Sequence, residues 1–199
     1  MRTRVIVSFL FLAALLAFGF NRAMAQAGGA PQGGGRGPAG PPLRISVPSV
    51  SDGGDLPVKY SCAADSGKFV SPAVNWSNPP AGTQSFILLF HDTDARPGKK
   101  VQDVTHWMIF NIPGTSTGLP ENVTQDSPAS VGVQAGNIRN QPAYFGPCPP
   151  PGAPHHYIFE LLALDTKLDL QAGASRDDVM KAADGHVIGS AGYATLFHR

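Results

Sequence analysis

Residues 146–165 read GPCPPPGAPHHYIFELLALD, a Gly/Pro arch that runs straight into an apolar strand. Prolines fix φ and remove backbone donors, so Pro147 and Pro149–Pro151 favour one stiff path, while Gly146 and Gly152 permit turns that other residues resist. The run Tyr157–Leu164 has strand length and Glu160 as its only charge. At the junction stand His155, His156 and Tyr157, three polar rings that the start of the strand can aim at whatever the arch encloses.

Two further apolar runs carry polar groups at their edges. Ser85–His91 (SFILLFH) leads into Asp92 and Asp94, and Thr105–Ile112 (THWMIFNI), closed by Pro113-Gly114, has His106 near its start. If the three edges converge, imidazoles, carboxylates, a phenol and backbone N–H groups make a small pocket suited to an anion. His91, His106, His155 and His156 all lie at ends of these runs; His91 is the weakest member and reads as facing solvent.

Elsewhere the chain is strand-rich. Leu43–Val47 and Leu56–Tyr60 alternate weakly, and Ala73–Trp76 follows a Ser-Pro turn. Residues 113–145 lack a period and read mainly as long loop. One helix is expected, from the N-cap Ser175 with Asp178 in capping-box position to a stop at Gly185. Strands, a late helix and no βαβ alternation predict a mainly β fold, an antiparallel two-sheet sandwich with a C-terminal helix.

The first 25 residues read as a signal peptide. Arg2 and Arg4 precede the apolar stretch Val5–Phe20, and Ala23-Met24-Ala25 is a small-x-small cleavage site. That stretch is shorter than the ~20 residues of a spanning helix, so the mature chain is expected to lack a transmembrane segment and to be periplasmic or secreted. Residues 26–42 hold seven glycines and four prolines, with no hydrophobic side chain larger than alanine. Nothing there can be buried to offset ordering entropy, so the segment reads as a flexible tether before one domain, 43–199. Loss of Arg2, Arg4 and Arg22 with the leader lowers the formal charge from +1 to −2. Without a basic run, nucleic acid is not an expected partner.

Cys62 and Cys148 are the only cysteines. An even pair in an exported chain predicts a disulfide, which would staple the arch to the segment around Ser61–Ser71. Neither cysteine lies in a C-x-x-C or C-x-x-H spacing, so thiol-bound metal is not expected.

Asp92 and Asp94, two apart, would share a face of extended chain. They are able to bind a cation, to work as acid and base, or to hold a turn through side-chain-to-backbone hydrogen bonds. Histidine and aspartate also ligate metals, and a metal-assisted phosphoester hydrolase is the alternative reading. No H-x-x-x-H, H-x-H or H-E-x-x-H spacing occurs, nor a G-x-S-x-G turn, P-loop or dinucleotide fingerprint. No cofactor and no catalytic residue are assigned.

The order SPAVNW (71–76), DTDA (92–95), HW (106–107), GPCPPPG (146–152) and HHYIFELLALD (155–165) resembles the phosphatidylethanolamine-binding protein family, and more closely its bacterial Raf-kinase-inhibitor-like branch. The resemblance covers about residues 44–199. It implies a β-sandwich whose end pocket binds phosphate-like anions and phospholipid head groups. Asp92 and Asp94 fall on the family's D-P-D-A-P motif, and His106 on its pocket histidine. Gly146, Pro147, Pro149 and Pro150 fall on its Gly-Pro arch, and His155 and Tyr157 on its H-R-Y motif. Trp107 would wall the pocket or sit behind it. Three residues depart from the pattern: Thr93 and Arg96 stand where prolines are usual, and His156 where arginine is. Arg96 is expected to bring a cation to the pocket mouth, and anion affinity to lean more on histidine protonation.

Together these readings predict a binding or inhibitory module for a small anion or phosphorylated head group, with a protein partner possible and unnamed. Asp92 and Asp94 would orient imidazoles and loop amides, because bare carboxylates repel phosphate.

Overall fold

The structure is a computed structural model and describes residues 40–199; the signal-peptide reading, and the tether reading up to residue 39, lie outside the described residues. The strands are β1 (Arg44–Ser46), β2 (Gly54–Asp55), β3 (Val74–Ser77), β4 (Ser85–Asp92), β5 (Val104–Pro113), β6 (Gly118–Leu119), β7 (Val133–Gln134), β8 (His155–Leu164) and β9 (Val187–Phe197), with one helix, α1 (Arg176–Ala183). They form a three-stranded sheet, β1-β3-β6, and a six-stranded sheet, β2-β9-β8-β4-β5-β7. All described pairings are antiparallel except β2 with β9.

The continuous apolar runs have a simple cause. Strand side chains alternate between faces, and the central strands of the large sheet are covered on both. Phe86, Leu88 and Phe90 of β4 join Trp76, Trp107, Ile109 and Phe159 in the core between the sheets. Ile87 and Leu89 face the other way, into a second core with Met108, Phe110, Leu162 and Val179 of α1. All five residues Phe86–Phe90 are 0% exposed, and each such side chain is worth about 1.5–3 kcal/mol of burial. The helix starts as its sequence predicts: Ser175 Oγ accepts the Asp178 N–H at 3.1 Å, and the Asp178 carboxylate accepts the serine hydroxyl at 2.6 Å.

Three sequence expectations are corrected. Leu56–Tyr60 is not a strand; Val58–Tyr60 is a single 3₁₀ turn, entered through Pro57, which pins Tyr60 into the core. Residues 113–145 are mostly loop but include β6 and β7, two-residue strands that exist only through pairing with β3 and β5. The eleven-residue β9 escapes the sequence reading altogether: VIGSAGYATLF is rich in small residues, and only Thr195 and Phe197 are fully buried. Its register along β8, from His155↔Phe197 to Leu164↔Val187, makes it a strand.

Candidate functional site

Register brings the site together. The β4–β8 ladder sets Asp92 opposite Tyr157, and β5 enters on the other side of β4 with Phe90 opposite Trp107, next to His106. Asp92 is buried, and both of its carboxylate oxygens are used. Oδ2 lies 2.8 Å from His155 Nδ1, and Oδ1 accepts the Asp94 N–H at 2.9 Å. A carboxylate only accepts, so Nδ1 of His155 carries the hydrogen and Nε2 is the uncommitted atom.

His106 is fixed in the same sense by a different partner. Its Nδ1–H donates to the Phe145 carbonyl at 2.8 Å, Phe145 N–H returns a bond to the His106 carbonyl at 2.9 Å, and the two rings stack at 5.6 Å. Burial pushes its pKa below the usual histidine value, against the opposing pull of the Phe145 carbonyl and Asp92. His106 is therefore a neutral ring that offers a lone pair at Nε2, not a cation.

Tyr157 lies between the two imidazoles, edge-on to His106 at 5.3 Å and roughly parallel to His155 at 6.4 Å. Its hydroxyl is buried without a hydrogen-bond partner, the one such side-chain atom among the described residues. Burial first, then the Asp92 carboxylate, raise the phenol far above its ordinary range, so it stays a donor. Asp92 lies near enough to act on the phenol both through its charge and as a hydrogen-bond acceptor, although no hydrogen bond of ordinary geometry forms between them. A buried hydroxyl without a partner costs about 1–3 kcal/mol, which asks what would satisfy it.

The arch is held from several sides. Cys62 and Cys148 are bridged, with an S–S distance of 2.01 Å and Cα atoms 5.3 Å apart. Cys62 N–H donates to the Pro147 carbonyl at 3.0 Å, and Arg199 Nε donates to the Pro149 carbonyl at 2.7 Å. Gly146 presses on the backbone of Tyr60 and Ser61; a Cβ there would meet the Tyr60 carbonyl oxygen at 2.7 Å, so only glycine fits. Pro150, by contrast, is exposed.

Asp94 and His156 form their own pair at the rim. Asp94 Oδ2 accepts the His156 N–H at 2.6 Å and lies 2.8 Å from its Nδ1, and the backbone bond first, then the ring, hold the Asp94 carboxyl below its usual pKa. Trp107 sits behind the site, its Nε1–H on Gln134 Oε1 at 3.0 Å. Two expectations fail. Arg96 brings no free cation to the mouth, because its guanidinium lies 3.2 Å from Asp103. His91 does not face solvent; it is 9% exposed and bonds Asp103 Oδ2 at 2.7 Å, while Arg176 pairs with the other oxygen. Burial alone would raise the Asp103 carboxyl, but Arg176 and His91 outweigh it and lower it. Sequence reasoning missed Asp103, although it stands at the start of a strong run just as Asp92 stands at the end of one.

Among the described residues no three His, Cys, Asp or Glu side chains are grouped to hold a metal ion, and no helix is long and apolar enough to cross a membrane. The largest cavity described, about 530 Å³, lies elsewhere, against β1, β3 and β9.

Comparison with known proteins matches this architecture. The family model for phosphatidylethanolamine-binding protein fits residues 46–198. A UPF0098 protein of Methanothermobacter thermautotrophicus is 42% identical over 79% of this chain and 99% of its own length. A Mycobacterium tuberculosis relative that carries a lipoprotein name, LppC, is 37% identical over 69% of this chain and 63% of its own. The crystal structure of E. coli YbcL, titled a new member of the mammalian family, superposes with a TM-score of 0.70 at 28% identity, covering 79% of this chain and 98% of that one. With its two sheets, its late helix and these sequence matches, the chain belongs to the phosphatidylethanolamine-binding protein family, in the bacterial YbcL-type branch.

Proposed function

We propose that this protein is an exported binding module for a small anion or the phosphorylated head group of a lipid, able to regulate a partner protein when loaded. One observation carries the reading: the Tyr157 hydroxyl is buried without a partner between two imidazoles whose Nδ1 atoms are already committed. A phosphate oxygen there accepts from Tyr157, and from His155 Nε2 when that ring is protonated, with arch N–H groups adding to the shell. The sequence motifs put Asp92, Asp94, His106, Gly146, Pro147, Pro149, Pro150, His155 and Tyr157 around the ligand. Within that set Tyr157 and His155 donate to the anion, His106 Nε2 accepts only from a protonated ligand oxygen, Asp92 orients His155, and Asp94 holds the rim.

Binding, not turnover, fits best. Among the described residues neither His106 nor His155 is hydrogen-bonded to a serine, threonine or cysteine that it would activate. Export is supported by the disulfide and by the lipoprotein-named relative. The test is calorimetry with inorganic phosphate and with phosphoethanolamine. The parent should retain either ligand stoichiometrically, and His155→Ala should bind about 10–100-fold more weakly, the loss of one hydrogen bond to a charged group, while staying folded with a melt lowered by about 1–3 kcal/mol for the buried Asp92 oxygen left unpaired. Equal binding by parent and variant refutes the site.

A further inference from the structure

Strand β9 is eleven residues long, but its outer edge is only partly covered. The two-residue β2 pairs with Thr195 and Leu196, and the loop before it serves Ala194. Asp52 Oδ1 accepts the Ala194 N–H at 2.8 Å, and Gly53 N–H donates to the Ala194 carbonyl at 2.9 Å. Backbone groups alternate sides along a strand, so Ser190 and Gly192 point the same way as Ala194. Among the described residues no backbone hydrogen bond meets either of them on that side, and both are exposed. The open stretch has definite ends: Ile188 is the extra residue of a bulge against Ala163 and Leu164, and Asp52 closes the far end. Between them Gly189–Tyr193 carries no proline and no charge, two of the devices that keep a foreign strand off a sheet edge.

Both faces of this stretch border a cavity. Ala191 and Tyr193 pack toward the inter-sheet core and line the cavity of about 530 Å³ with Ile45 and Trp76. Ser190 and Gly192 turn to the other face, where a second cavity of about 410 Å³ also meets His91, Ile158 and Glu160. Of the described carboxylates only Asp92, Asp103 and Glu160 are not exposed, and the first two are paired with histidine. The Glu160 side chain has neither an ion pair nor a hydrogen bond among the described residues. Register sets Glu160 opposite Gly192, and the space above that glycine is open, since a Cβ there would meet nothing within 4 Å. A half-buried carboxylate therefore looks onto the free edge with no side chain in between.

We propose that Gly189–Tyr193 is a docking edge for an extended segment of a partner protein, which adds to β9 as a further strand and brings a lysine or arginine to Glu160. The backbone groups of Ser190 and Gly192 supply the ladder bonds, and the cavities on the two faces read alternate side chains. The partner residue opposite Gly192 faces Glu160 one strand further on, within reach of a long basic side chain. Its two neighbours face Ile45, Trp76 and Tyr193 and are apolar. A second copy of this chain is a poorer occupant. A two-fold β9–β9 pair would set Gly189–Tyr193 against itself, and that stretch holds no cation for Glu160. The edge is separate from Tyr157 and His155, so the proposal stands or falls independently of the anion site.

The test is an NMR titration of the protein with the end-blocked peptide Thr-Val-Lys-Val-Thr, read at the Ser190 and Gly192 amides. Both signals should shift with the lysine peptide. Its counterpart with glutamate in place of lysine should bind about tenfold more weakly, because attraction to Glu160 becomes repulsion. Glu160→Gln should weaken the lysine peptide about fivefold and remove most of the preference between the two peptides. Gly192→Lys supplies Glu160 with a cation from within and should weaken the lysine peptide as well. Phosphate affinity should hold in both variants, and the two peptides compared on the parent decide the matter even if a variant folds poorly. Absence of any shift at Ser190 and Gly192 overturns the proposal, as does equal binding of the two peptides by the parent. Concentration-dependent shifts of the same amides without peptide would give the edge to a second copy and overturn it too.

Discussion

His91 and Asp92 are neighbours on β4, and each ends in a carboxylate–imidazole pair of nearly equal length, 2.7 Å to Asp103 and 2.8 Å to His155. Strand alternation sends them to opposite faces, and their surroundings make them different devices. Around Asp103 the carboxylate is saturated by His91, Arg96 and Arg176, which tie the 94–103 loop and the start of α1 to the sheet. Around Asp92 no arginine arrives, the pair is backed by a turn amide, and Tyr157 keeps a buried hydroxyl with no partner. The same chemistry is a clamp where every lone pair is used and a candidate binding site where one donor is left over.

The sharpest way to break this contrast is to delete each carboxylate in turn. Asp103→Ala strands a largely buried Arg176 and His91, and removing one member of such a cluster should cost about 3 kcal/mol in a denaturant melt while phosphate affinity stays close to the parent's. Asp92→Ala should cost less, about 1–3 kcal/mol for a buried donor left unpaired, yet abolish most phosphate binding. A reversal, with Asp103→Ala losing the ligand and Asp92→Ala only stability, would exchange the roles assigned here.

Tyr157→Phe sharpens the comparison from the other side. It removes the unpaired hydroxyl while keeping the ring, so the free protein should gain up to about 1 kcal/mol even as anion affinity drops several-fold. A variant less stable than its parent would mean that the hydroxyl is already satisfied and that the site is not poised for a ligand.

The smallest effect concerns pH. Burial lowers the pKa of His106, so the folded state binds its proton less readily than the unfolded chain does. Stability should then fall as pH drops below about 6.5, the unfolded histidine value, toward the depressed folded value. Asp94 and Asp103, both lowered, act in a separate window, holding their contribution above about 3.8 and losing it only in stronger acid. Melting curves between pH 7 and 5 check the point: His106→Asn should flatten that limb, and an equally steep limb in the variant would assign it to other groups.

Much of the fold was legible because covered strands advertise themselves. SFILLFH, THWMIFNI and YIFELLAL are unbroken apolar runs, since β4, β5 and β8 are buried on both faces, and Ser175 announces α1 because a cap is a local hydrogen bond. Strand β9 was hidden because it lies next to the sheet edge with many small side chains and only two buried ones, so pairing with β8 makes it a strand and hydrophobicity does not. The run Leu56–Tyr60 misled in the opposite way: its apolar spacing serves a single turn anchored by Tyr60.

By itself the sequence determined the sandwich class, the stiff arch, the expectation of a Cys62–Cys148 bridge, and the presence of Asp92, His106, His155 and Tyr157 at strand ends. These are properties of local composition and spacing. Only the tertiary structure decided which imidazole nitrogen is free, that Arg96 belongs to Asp103, that His91 is buried, and that the Tyr157 hydroxyl has no partner. Hydrogen-bond partners in this domain lie up to 143 residues apart in sequence, as with Tyr193 and Val50, and only the folded strand register brings such groups together. A one-residue slip would turn each of these side chains to the other face of the sheet.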